Sequence, residues 1–142
     1  MIVLDTNVVS ELLRGPEADP RVVAWLSSLG ERPVTTVLTR AEILSGVALL
    51  PPGARRERLE MGVRKILTQL GVCLPLTDEA ADHYAEIVAL RRTSGRPVSG
   101  FDALIAAICR TASATLATRN TKDFVGVGVD LVDPWGEPAS CR

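Results

Sequence analysis

The chain has 142 residues, 46% of them hydrophobic and 23% charged, the balance of one folded domain with a real core, not of a disordered tract. Sixteen basic and seventeen acidic side chains leave a net charge of −1 and a pI near 5.8. That excludes a basic nucleic-acid coat, yet it permits acids gathered in a pocket with arginines on the rim. Cys73, Cys109 and Cys141 lack metal-ligand spacing, so they form no zinc motif and suit a reducing compartment. No basic n-region precedes Asp5, and the apolar stretch Ala103 to Cys109 falls far short of the roughly 20 residues a membrane span needs. A cytoplasmic protein without membrane association is expected.

Ile2-Val3-Leu4 reads as a buried strand that delivers Asp5 to its carboxyl end, with Thr6 and Asn7 turning into a helix over Val8, Val9, Leu12 and Leu13. Asp19-Pro20 opens a second helix, with Val22, Trp25, Leu26 and Leu29 as its stripe and Gly30 at its end. Pro33 to Val37 predicts the second strand. Thr39-Arg40-Ala41-Glu42 then opens a helix carrying Ile43, Leu44, Val47 and Ala48.

After Pro51-Pro52-Gly53, a long amphipathic helix buries Leu59, Val63, Ile66, Leu67 and Leu70, and its basic residues between Arg55 and Lys65 read as a solvated face. Val72 to Leu76 predicts a third strand. Thr77-Asp78-Glu79 caps a helix with Ala80, Tyr84, Ile87 and Val88 inside, ending near Ser94-Gly95. Ser99 caps a nearly all-apolar helix over Gly100 to Thr111. Ala114 to Ala117 and Val129 to Val132 supply the last strands. Strands alternating with helices predict an α/β fold: a parallel sheet with helices on both faces, in one domain spanning 1–142.

Ligands of open α/β sheets gather at the carboxyl ends of strands, which is where Asp5 lies. Glu42 follows the second strand and Asp102 opens the buried helix, so both fall at the same rim. Each acid has a capping alternative: Asp5 as a cap of its own helix, Glu42 in the box Thr39-x-x-Glu42, Asp102 three residues after Ser99. Asp102 is nevertheless the only charge between Arg96 and Arg110, and a buried helix carries a charge where it is paired or working. Asn120 and Asp123, after the fourth strand, reach the rim too, with a turn built on Asn120 as the alternative. Acids at one rim repel unless a cation holds them, and hard oxygen ligands select Mg²⁺ or Mn²⁺. Mg²⁺ commonly binds phosphate as well, which implies a phosphate or phosphodiester substrate. His83, the lone histidine, reads as a surface residue.

Four motifs in order resemble the PIN-domain ribonucleases: Ile2-Val3-Leu4-Asp5-Thr6-Asn7, Ala41-Glu42-Ile43, Val98-Ser99-Gly100-Phe101-Asp102-Ala103, and Leu116-Ala117-Thr118-Arg119-Asn120 with Asp123-Phe124. Among these the chain is most similar to VapC-type toxins of toxin–antitoxin pairs, in their FitB-like branch. The resemblance implies a PIN-like, Rossmann-like sandwich and a Mg²⁺- or Mn²⁺-dependent endoribonuclease. It also implies a homodimer and a VapB/FitA-like antitoxin that occludes the site. By position it makes Asp5, Glu42 and Asp102 the metal-site acids. Asn120, or Asp123 three residues on, takes a fourth place that is often aspartate. Asn7, Thr6 and Thr118 would support the acids, and Arg119 and Lys122 would contact RNA. A phosphotransferase with Asp5 as nucleophile, or a non-catalytic module of the same fold, are the rivals. A mean hydropathy of +0.20 adds to the case for a dimer, with the helices carrying Trp25 and Leu29 or Ile66 and Leu70 offering spare apolar faces.

Overall fold

In the computed structural model of the chain, which describes residues 1–136, five short parallel strands alternate with helices. Strand β1 (Ile2–Leu4) pairs with β4 (Thr115–Ala117), and β4 pairs with β5 (Asp130–Val132). A second, two-stranded sheet holds β2 (Thr35–Thr36) and β3 (Cys73–Leu74). A single bridge, Val3 to Val34, joins the two sheets, so the strands run β3-β2-β1-β4-β5 across the molecule.

Side chains alternate along these strands, so each sheet face carries its own core. Val3 and Leu116 pack with Ala80 and Ile87 of α5 (Asp78–Thr93) and with Ile105 and Ile108 of α6 (Gly100–Thr111). Leu4 and Ala117 turn the other way. They meet α1 (Thr6–Leu12), α2 (Pro20–Ser27), α3 (Val37–Ala48) and α4 (Ala54–Gln69) through Val8, Val22, Val47 and Val63. Helices therefore cover both faces of a parallel α/β sheet, as the alternation predicts. No helix among the described residues is long and apolar enough to cross a membrane. Cys141 lies outside the described residues.

Four expectations need correction. The second strand is only Thr35–Thr36, because the Thr36 side chain accepts from the Thr39 amide at 3.2 Å and starts α3 at Val37. The N-cap is thus Thr36, not Thr39, and no capping box includes Glu42. The third strand shrinks to Cys73–Leu74, since Pro75 has no N–H to extend the ladder. Trp25, Ile66 and Leu70 are not spare surface: all three pack into the second core. The exposed large apolar side chains are others, among them Val37, Leu49, Met61, Val72 and Leu76.

Candidate active site

The carboxyl end of β1 passes straight into α1, and Asp5 stands at the junction. Its Oδ1 accepts from the Thr6 amide at 2.8 Å, so the capping alternative is true of it. Its Oδ2 accepts from the Thr118 hydroxyl, also at 2.8 Å. The residue is 4% exposed. Burial pushes its carboxyl up from the ordinary value, the bonds from Thr118 and Thr6 pull it back, and the nearby charges of Asp102 and Glu42 push it up again.

Thr118, at the end of β4, is fully buried and uses all of its hydrogen-bonding capacity. It donates its one proton to Asp5 and accepts from Asn7 Nδ2 and from the Asn120 amide, each at 3.1 Å. Asn7 in turn accepts the Arg119 amide on its Oδ1 at 3.2 Å. Asn7 and Thr118 therefore brace the β1–α1 junction against the loop after β4.

Glu42 arrives from α3, where it lies beyond the first turn. The Thr6 hydroxyl donates to its Oε1 at 3.0 Å, and Thr39 Oγ1 lies 3.1 Å from Thr6 Oγ1. Because the Thr6 proton is committed to Glu42, Thr39 must donate to Thr6. A short relay of hydroxyls from two helices thus aims the glutamate. Asp102 arrives from the first turn of α6, its amide donating to Ser99 Oγ at 3.2 Å as the capping pattern predicts, and the positive end of the helix favours its charge.

Asp5, Thr6, Asn7, Ser10, Glu42, Asp102 and Asn120 line one open recess of about 250 Å³. The structure so brings together the three acids and Asn120. Asp123 is not among the lining; it sits in a 3-10 turn (Thr121–Phe124) and donates its amide to the Asn120 carbonyl. Ser10, unforeseen in the sequence, lies one helical turn beyond Thr6, and that spacing was the signal for it. Arg119 is exposed, with its guanidinium 5.0 Å from the centre of the Trp135 ring, a stacked cation. The Trp135 carbonyl accepts from Arg21, which also holds the half-buried Asp19 carboxyl down at about 2. Lys122 is exposed nearby in the chain.

The recess offers only oxygen and amide groups. Cys109 is buried near Asp5, but burial pushes its thiol up to about 12, so it is neither nucleophile nor soft ligand. An oxygen donor set around a buried, mutually repelling carboxylate fits a hard divalent cation. Among the described residues, no three acidic, histidine or cysteine side chains are already drawn close enough to hold one between them. The acids face a common space and would have to close on an ion.

Beside this recess, and sharing Thr6, Ser10 and Glu42 with it, runs a more apolar groove of about 360 Å³ between α1, α3 and α4, walled by Leu13, Val47 and Leu59.

The family model of the PIN domain matches residues 2–129, and the chain belongs to that family. Its relatives include proteins named as a FitB toxin and a VapC ribonuclease. Toxin FitB of Neisseria gonorrhoeae is 41% identical over 95% of this chain and 99% of its own. VapC ribonuclease Y4jK of Sinorhizobium fredii is 40% identical over 98% of this chain and 100% of its own. A solved structure of FitAB bound to an IR36 DNA fragment superposes with a TM-score of 0.90 at 39% identity, covering 99% of both chains.

Proposed function

We propose that the protein is a divalent-metal-dependent endoribonuclease acting in the cytoplasm as the toxin of a toxin–antitoxin pair. The observation that carries this is the convergence of Asp5, Glu42 and Asp102, from three separate elements, on one recess lined by oxygen and amide groups. These three would hold Mg²⁺ or Mn²⁺. The ion would supply an activated water and charge neutralisation at the attacked phosphodiester. Thr118 and Thr6 keep Asp5 and Glu42 aimed, each through a hydroxyl that has no other proton to give. Asn120 presents an amide to the same space, suited to orienting a phosphate oxygen or a water, and Arg119, steadied on Trp135, presents a positive charge to the RNA backbone.

The rival phosphotransferase would want an acid at position 7. Asn7 has its amide committed on both sides, to Thr118 and to the Arg119 N–H, so it braces and does not exchange protons. Protein freed of antitoxin is expected to cleave single-stranded RNA with Mg²⁺ or Mn²⁺ and to stop in EDTA. Undiminished cleavage in EDTA would sink the metal assignment.

The partner reading follows the relatives, whose solved complex is of FitAB. An antitoxin segment with apolar side chains suits the groove beside the recess, and a cationic side chain at its end suits the acids. A homodimer would cover apolar side chains such as Val37, Val72 and Leu76, which lie exposed around β2 and β3. Light scattering is expected to give twice the 15.2 kDa chain mass. The antitoxin from the neighbouring gene is expected to abolish cleavage; a fully active monomer, untouched by that antitoxin, would contradict both.

A further inference from the structure

A third cavity, of about 420 Å³, lies where the end of α5 meets the segment after the 3-10 turn. Its walls are Leu90, Arg91, Ser94, Arg96, Val125 and Gly126. Arg91 is 6% exposed, and among the described residues it forms no ion pair. One nitrogen, Nη1, donates to the Val125 carbonyl at 2.8 Å, while the buried Nε has no partner. A guanidinium cannot shed its proton to escape burial, so an unpaired one is costly. The negative end of α5 and the Val125 carbonyl offset part of that cost. Arg96, exposed on the same wall, adds a second positive charge instead of an acid. The Ser94 hydroxyl is turned back onto the Arg91 carbonyl at 3.1 Å and leaves the recognition to the two arginines. Two guanidiniums on an open cavity with no carboxylate in its lining suit an anion rich in acceptor oxygens.

We propose that this cavity binds a backbone phosphate of the RNA substrate, away from the cleaved bond; the inference rests on the nuclease reading above. Both walls lead directly to the acid recess. Arg96 lies just before Ser99, the cap of the helix that carries Asp102, and Val125 lies five residues beyond Asn120. Five residues span at most about 18 Å, so one short single strand reaches both places. Exposed Lys122 lies along the connecting segment. Leu90 and Val125, 53% and 52% exposed, form an apolar lip against which a ribose or base can rest. A free phosphate ion would meet the same two arginines, and the test separates the sources.

The catalytically silenced Asp5→Asn protein is titrated in EDTA against a fluorescein-labelled single-stranded RNA, by anisotropy over a range of salt concentrations. Adding Arg96→Ala is expected to weaken binding about three- to tenfold and to flatten the slope of log affinity against log salt by about 0.7, the loss of one phosphate contact on a single strand. Adding Arg91→Lys, which keeps the charge and loses the fork, is expected to weaken binding with little change of slope. Thermal melts of both variants confirm the fold, and Arg96→Ala, at an exposed position, keeps the test open if Arg91→Lys does not fold. If Asp5→Asn binds RNA and both added variants match it in affinity and slope, the site is overturned and the nuclease reading stands. If Asp5→Asn binds no RNA, this proposal is overturned, while the nuclease reading stands or falls by the cleavage assay with and without EDTA. If inorganic phosphate raises the melt of Asp5→Asn but not of the Arg96→Ala variant, while RNA affinity is equal in both, the cavity takes free phosphate and the RNA assignment is overturned.

Discussion

Two helices deliver an acid to the recess, and they do it by different means. In α6 the acid is part of the helix start: Ser99 caps, Asp102 follows in the first turn, and the helix end favours its charge. In α3 the cap is Thr36, and Glu42 lies too far along to feel the helix end; a hydroxyl from another helix, Thr6, holds it. One acid is therefore placed by its own local sequence and the other by tertiary structure. A shared S/T-x-x-D/E pattern does not distinguish them. Of these two acids, only Asp102 has a helix-start task with which a role at the site could be confused.

Substitutions separate the two roles. The largest effect is on cleavage: Glu42→Gln and Asp102→Asn should each lower the rate by at least about 100-fold, since each removes an anionic ligand and not an outer partner. An RNA cleavage assay that found Glu42→Gln at the parent rate would remove Glu42 from the site. Thr6→Val, which removes the hydroxyl aimed at Glu42, should cost less, about tenfold. Stability then sharpens the contrast. Asp102→Asn gives up a helix-end interaction of about 0.3–1 kcal/mol, so it should melt about 1–4 °C below Glu42→Gln. Equal melts would mean that Asp102 has no capping share.

The smallest effect is the pH dependence of stability at Asp5. Its carboxyl is raised in the fold, chiefly by burial, so the native state favours the protonated form more than the unfolded chain does. That penalty is absent below the unfolded value of about 3.8 and complete only above the raised native value. Asp5→Asn has no such titration, although its amide cannot satisfy both Thr6 and Thr118 and forfeits a hydrogen bond. Its melting temperature relative to the parent should therefore climb as pH rises from about 4 toward 7. A difference independent of pH would show that burial does not load this carboxylate.

Much of this was legible in the sequence. Ile2-Val3-Leu4 leading to Asp5, and Ser99 leading to an all-apolar helix, carry their signals in a few adjacent residues, and α6 begins and ends where they predict. The start of α3 was not legible. Val34-Thr35-Thr36-Val37 is β-prone throughout, and the strand stops where Thr36 turns its hydroxyl to the Thr39 amide and caps α3, which strand propensity does not announce. Arg91 was overlooked for the opposite reason. The stripe Ala80, Tyr84, Ile87 continues at helical spacing to position 91, but an arginine there reads as surface until its burial is seen. The stacking of Arg119 on Trp135 joins residues far apart in the chain, and no local pattern announces it.

The bridge between Val3 and Val34 gives the molecule a seam, and the recess lies across it. Asp5, Asp102 and Asn120 belong with the three-stranded sheet and the helix packed on it, whereas Glu42 rides on the helix that grows out of the two-stranded one. Along the seam the strand-to-strand hydrogen bonds are those of the Leu4 amide to Val34 and the Val34 amide to Ile2. Regions joined by few bonds open at lower free energy than the whole domain unfolds. Here apolar packing closes the seam: Leu4 and Val8 on one side share a buried core with Ile43, Val47 and Val63 on the other, and Thr6 and Thr35 bond across it to Glu42 and to the Leu4 carbonyl. Glu42 therefore keeps its place beside Asp5 only while that core stays packed, and the Leu4 and Val34 amides are expected to be protected in hydrogen exchange together with it.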